Sequence, residues 1–90
     1  MRDNVLIIDE KDNVGVALRD LTAGEEILCC GVEGIVVEET IPASHKVALR
    51  DIATGEEIVK YGEVVGVSAK EIRRGAWVHT HNLESERWKK

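Results

Sequence analysis

Ninety residues with a net charge of −5 make one domain, and a chain this short has little material for a deep, water-free catalytic pocket. Seventeen acidic residues against 12 basic ones leave no basic surface to displace counterions from nucleic acid, so DNA or RNA is disfavoured as main partner. The adjacent Cys29 and Cys30 would point to opposite faces of a strand, which suggests no disulfide and a reducing cytoplasm as the natural home.

The apolar content is 12 Val and 8 Ile against 6 Leu, with no Phe. Such β-branched residues fit a pleated surface, and eight Gly punctuate the apolar runs, so the expectation is an all-β chain. The elements begin with a strand at 5–8, too short for a signal peptide or a membrane span, so no membrane partner is expected. A hairpin loop at 9–13 and a strand at 14–18 follow. Further strands are expected at 26–29, 35–38, 47–49, 57–59, 63–67 and 77–80. Only residues 83–88 carry a trace of helical periodicity, so helix is confined to one-turn pieces.

The chain repeats itself. Residues 16–28 and 47–59 are identical at nine of 13 positions, and a fainter third copy runs over 67–78. The spacing, 31 residues and then 20, is uneven, so no fixed period is expected. Each copy reads as strand, tight turn and strand. An acidic residue (Asp20, Asp51, Glu71) caps the turn, the aliphatic one after it (Leu21, Ile52, Ile72) plugs the core, and a Gly (Gly24, Gly55, Gly75) closes it. Arg19 and Arg50 read equally as partners for nearby carboxylates or as ligand contacts.

Candidate chemistry lies in the second half. On a strand, His79 and His81 share a face, and two imidazoles side by side suit a divalent metal; a strand end with two merely exposed histidines is the plainer alternative. His45 could act as a general acid or base, and Lys46 offers a charge for a carboxylate, although a solvated loop explains both. Lys60-Tyr61-Gly62 is either a hydroxy-acid contact or an ordinary turn. There is no phosphate loop, nucleophile elbow or dinucleotide fingerprint.

Together, the run His45-Lys46-Val47-Ala48-Leu49-Arg50-Asp51-Ile52, then Lys60-Tyr61-Gly62, then Val78-His79-Thr80-His81-Asn82 resembles the SAF domain of the altronate and galactarate dehydratase family. The resemblance is strong over residues 45–84 and looser before. It implies a single SAF-type β-clip domain over 1–90, with short bent hairpins and residues 84–90 as a linker or docking tail. It implies the small subunit of a sugar-acid dehydratase whose large subunit is a separate chain, acting on a sugar-acid substrate. A divalent metal, iron or another ion, is implied in the complete complex. Carried onto this sequence, His45, His79 and His81 become catalytic candidates, His79 and His81 metal candidates, and Lys46, Arg50, Lys60, Tyr61, Thr80 and Asn82 substrate contacts. The isolated chain would then be inactive. The alternatives are the small subunit of a related sulfolactate sulfo-lyase or a stand-alone SAF module for a carbohydrate or anion. Self-association stays open. A swapped-hairpin DNA binder is disfavoured by the acidic balance.

Overall fold

β-Branched runs interrupted every few residues by turn formers favour strands that are short and strongly bent. The computed structural model describes residues 3–29, 32, 34–79 and, by backbone, 83–85. It has strands β1 (Val5–Leu6), β2 (Val14–Ala17), β3 (Lys46–Ala48), β4 (Glu57–Lys60), β5 (Glu63–Ser68), β6 (Trp77–Val78) and β7 (Leu83–Ser85). They form two antiparallel sheets, ordered β1-β2-β3-β6 and β4-β5-β7. The fold is all-β, and no helical turn occurs among the described residues.

The weak helical signal at 83–88 is overridden at its start, where Leu83–Ser85 pairs with β5; three residues of pattern cannot outweigh a ladder of backbone hydrogen bonds. Glu84 and Ser85, the first residues of the expected linker or docking tail, lie in β7 of the second sheet. Residues 86–90 lie outside the described residues.

The uneven repeat expected from the sequence is in three dimensions two copies displaced by 31 residues. The pairings Leu21–Ile41 and Glu26–Val36 recur as Ile52–Ile72 and Glu57–Val67. The pairing Val16–Lys46 recurs as Val47–Trp77, and Val5–Ala17 is matched by Val14–Ala48, where the partner strand is displaced by nine residues instead of 31. The faint third copy is the latter half of the second unit. Its counterpart in the first unit is the turn at 41–44, which lacks Gly. All four turns close with the same backbone bond: Thr22 to Glu25, Pro42 to His45, Ala53 to Glu56 and Arg73 to Ala76, at 2.9–3.1 Å. All four place a residue at positive φ, namely Gly24 (93°), Ser44 (73°), Gly55 (85°) and Gly75 (90°). That geometry marks a type II turn. The sequence marks 41–44 as a turn, but with Ser44 in the glycine position it does not read as a further copy of the repeat.

The two units pack on opposite faces of the four-stranded sheet. Val47 and Trp77 face a core of Val5, Leu21, Ile27, Val37 and Ile41, whereas Ala48 and Val78 face Val14, Ile52, Ile58 and Ile72. Each fully buried Leu or Ile contributes ~1.5–3 kcal/mol. A buried asparagine brackets each unit. Asn4 donates to the Glu26 carbonyl (3.0 Å) and accepts from Leu28 N–H (2.6 Å). Asn13 does the same for Glu57 and Val59, both at 2.8 Å. The amide thus satisfies a donor and an acceptor that the sharply bent strand leaves unpaired.

Candidate functional site

The duplication supplies an internal control. What recurs 31 residues later serves the architecture; what is replaced is released from it. Arg19 pairs with Glu25 and donates to the Asp20 carbonyl (3.0 Å). Arg50 pairs with Glu56 and donates to the Asp51 carbonyl (3.1 Å). Asp20 accepts from Ala43 N–H and Asp51 from Arg74 N–H, both at 2.8 Å. The Arg19 hydrogen bond holds the Glu25 carboxyl below the ordinary range. Glu56 is likewise lowered, first by Ala53 N–H and then by Arg50. The guanidinium of Arg50 is thus engaged as its counterpart is, in the turn of its own unit.

Copying fails at the end of the four-stranded sheet. His45 replaces what is Ala76 in the second unit, and Lys46 stands where Trp77 stands. The register that pairs Lys46 with Val78 and Val47 with Trp77 brings His45 opposite His79. Their ring centroids are 4.7 Å apart at 53°. Because alternate residues on a strand share a face, Trp77 joins the same cluster. Its ring stacks on His79 at 5.3 Å and 11° and meets His45 edge-on at 5.5 Å and 64°. The indole Nε1–H donates to His45 Nδ1 at 3.2 Å, and Trp77 N–H donates to Glu39 Oε2 at 3.1 Å. All three rings are half-buried.

Alternation sends Lys46 to the other face of β3, in the row adjacent to the histidines. Burial, and then the charge of Lys60, lowers the Lys46 pKa. Lys60 ends β4 and its Nζ lies 5.0 Å from the Tyr61 ring centroid. Tyr61 (φ 56°) and Gly62 (φ 79°) form the two-residue turn between β4 and β5. Two successive positive φ values are the type I′ pattern, usually given to Asn-Gly or Gly-Gly rather than to an aromatic residue. The tip is anchored by Asp12, whose Oδ1 accepts from Gly62 N–H at 2.7 Å. Burial pushes the Asp12 carboxyl up, but hydrogen bonds from Gly62, Asp9, Tyr61 and Ile8 outweigh it and hold the pKa below the ordinary value.

Of the residues singled out by sequence, the structure therefore gathers His45 with His79, Lys46 with Lys60, and Lys60 with Tyr61. Thr80, His81 and Asn82 lie outside the described residues. Arg50 lies apart, lining a depression of about 460 Å³ with Glu38, Asp51, Arg73 and Arg74. That depression contains none of the rings, and Arg73 in it pairs with Glu38 at 3.4 Å. Trp77 was missed. The available signal was its place two residues before His79 on an expected strand, which puts both on one face. As for a metal, no three His, Cys, Asp or Glu side chains gather to hold one among the described residues, and His45 Nδ1 is already taken by Trp77. These residues alone do not fit an ion, and no step is drawn through one.

Short bent hairpins in two quasi-equivalent units, ending in a histidine-rich strand edge, define a β-clip domain of SAF type. A sequence model of the altronate/galactarate dehydratase SAF domain matches residues 3–86, and the chain belongs to that family. It is 40% identical over 78 residues to the altronate dehydratase of Bacillus subtilis (strain 168), covering 87% of this chain and 16% of that protein. It is 40% identical over 73 residues to the galactarate dehydratase (L-threo-forming) of Escherichia coli (strain K12), covering 79% of this chain and 13% of that protein. It is also 37% identical over 54 residues to the (2R)-sulfolactate sulfo-lyase subunit alpha of Paracoccus pantotrophus, covering 60% and 81%. The chain thus spans under a fifth of the two dehydratases and most of the sulfo-lyase subunit.

Proposed function

We propose that this chain is the small SAF component of a hydro-lyase that removes water from a sugar acid, with the rest of the active site on a separate large chain. The observation that carries this reading is the His45–His79 pair, at positions where the repeat departs from its own pattern, with Lys46 beside it in sequence and on the opposite face of β3. Imidazoles at 4.7 Å offer hydrogen bonds to hydroxyl or carboxyl oxygens. The lysines Lys46 and Lys60 supply the positive charge that an acidic protein needs to hold a carboxylate. Elimination from a hydroxy acid requires a proton taken beside the carboxylate and a hydroxyl released from the next carbon. Groups of this kind would position the substrate and stabilise the charge that develops. A divalent metal, iron or another ion, would supply Lewis-acid stabilisation from the large chain.

A second reading is favoured by the match over most of the sulfo-lyase subunit alpha: the same component, with sulfite as leaving group. Both are tested by gentle affinity purification of the chain from its own cells, followed by assay of the recovered material on altronate, galactarate and sulfolactate. Stoichiometric recovery of a dehydratase-like large chain with turnover of one substrate supports a subunit role and decides between them. Recovery of this chain alone, across growth on sugar acids, sinks both and promotes a free-standing binding module.

A further inference from the structure

We infer that Trp77 is a positioning residue that holds His45 as a neutral imidazole with its proton on Nε2, so that His45 meets a ligand oxygen as a hydrogen-bond donor. The inference deepens the reading of His45 as a site residue and rests on it for its functional part. Its structural part stands on the geometry.

An indole Nε1–H only donates, and a neutral imidazole has one donor and one acceptor nitrogen. With Trp77 Nε1–H donating to His45 Nδ1 at 3.2 Å, Nδ1 is the acceptor and the proton sits on Nε2, because the bond made by one ring nitrogen fixes the state of the other. The donor is itself held in place. The Trp77 backbone is tied to Glu39 and its ring lies flat on His79. While the Trp77 bond is made, Nε2 carries a hydrogen and no free lone pair. Through that atom His45 can donate to an oxygen, but it can neither ligate a metal nor accept a proton. A neutral imidazole donor polarises an oxygen without adding a charge of its own, a device used where charge develops on oxygen.

The duplication argues that the arrangement is not required by the fold. The second unit has Ala76 in the place of His45, and the first has Lys46 in the place of Trp77. Among the described residues the Trp–His bond has no counterpart in the other unit, whereas the turn bonds of Arg19, Asp20 and Glu25 recur at Arg50, Asp51 and Glu56.

The test is nuclear magnetic resonance of the full chain with ¹⁵N-labelled histidine and tryptophan, at a pH where His45 is neutral. Long-range ring correlations should show His45 as the Nε2–H tautomer, and a scalar coupling should cross the hydrogen bond between Trp77 Nε1 and His45 Nδ1. Trp77→Phe keeps an aromatic ring but removes the Nε1–H donor and part of the ring area; it should abolish the single-tautomer pattern of His45 while backbone shifts far from the site stay put. An Nδ1–H tautomer in the unmutated chain, or an Nε2–H pattern that survives Trp77→Phe, overturns the inference. Should that variant fail to fold, the tautomer and coupling in the unmutated chain decide alone. None of these readouts depends on lyase activity, so failure here is distinguishable from failure of the proposed function.

Discussion

Replacing Asn13 by Ala removes one side chain and two hydrogen bonds at once. The amide is buried (2% exposed) and holds the Glu57 carbonyl and Val59 N–H at 2.8 Å each. Both backbone groups sit where the register between β4 and β5 slips, so no strand partner takes over. A donor or acceptor left unsatisfied costs about 1–3 kcal/mol, so Asn13→Ala should destabilise by ~2–5 kcal/mol, nearer the lower figure where water reaches the bend. A domain of this size holds about 5–15 kcal/mol in all, so the loss should be visible as a melting temperature lower by roughly 8–40 °C. Asn4→Ala, which breaks the matching pair of bonds to Glu26 and Leu28, should lose a similar amount. Asn13→Asp keeps an acceptor for Val59 but sets an anion against the Glu57 carbonyl, and should be no better than Ala. Urea unfolding followed by circular dichroism measures all three. A loss below ~0.5 kcal/mol for Asn13→Ala, or a wide disparity between the two asparagines, would refute the claim that they are equivalent brackets.

Tyr61→Asn places a residue suited to positive φ in the I′ turn and should raise stability by a few tenths to ~1 kcal/mol; in the assembled enzyme the same change should lower activity, and a variant both more stable and fully active would make Tyr61 an ordinary turn residue. Glu25 and Glu56 have folded pKa values below the ordinary 4.5, so what they contribute is fully present above that value and is lost as pH falls through the lower folded value. Glu25→Gln with Glu56→Gln should therefore flatten the acid limb of a stability–pH curve and leave the shape of the curve between pH 5 and 8 as it is in the unmutated chain. Lys60→Met should move the Lys46 pKa upward by removing a repelling charge, leaving the burial part in place; a resonance titration of the Lys46 side chain reads this directly, and an unmoved midpoint would separate the two lysines.

The fold class was legible because its signal is carried by composition and local pattern: Val and Ile in short runs, and Gly at three turns whose φ is positive. The turn at 41–44 was legible as a turn but not as a copy of the repeat, since Ser44 adopts the same conformation (φ 73°) and a serine gives no notice of it. That one omission made a period of 31 look like unequal steps. Within the site, the His45–His79 contact depends on pairing between β3 and β6, 32 residues apart along the chain, and no local rule delivers a long-range register. The equal readings of Arg19 and Arg50 become a single arrangement in the structure, where each guanidinium reaches a carboxylate six residues on. Trp77 illustrates the opposite limit: in the sequence it is only the first residue of an expected strand, and the position of its Nε1 against His45 gives it a polar task.

The central claim, that the edge of β3 and β6 serves an elimination reaction completed by a second chain, is tested most directly by comparing His45→Ala with Arg19→Ala in the purified complex. Both variants should assemble with the large chain. His45→Ala should lose activity on the sugar acid by a factor of about 10²–10³, the range for removing a positioned oxyanion-stabilising donor, whereas Arg19→Ala should retain it. Full activity in an assembled His45→Ala complex would contradict the account.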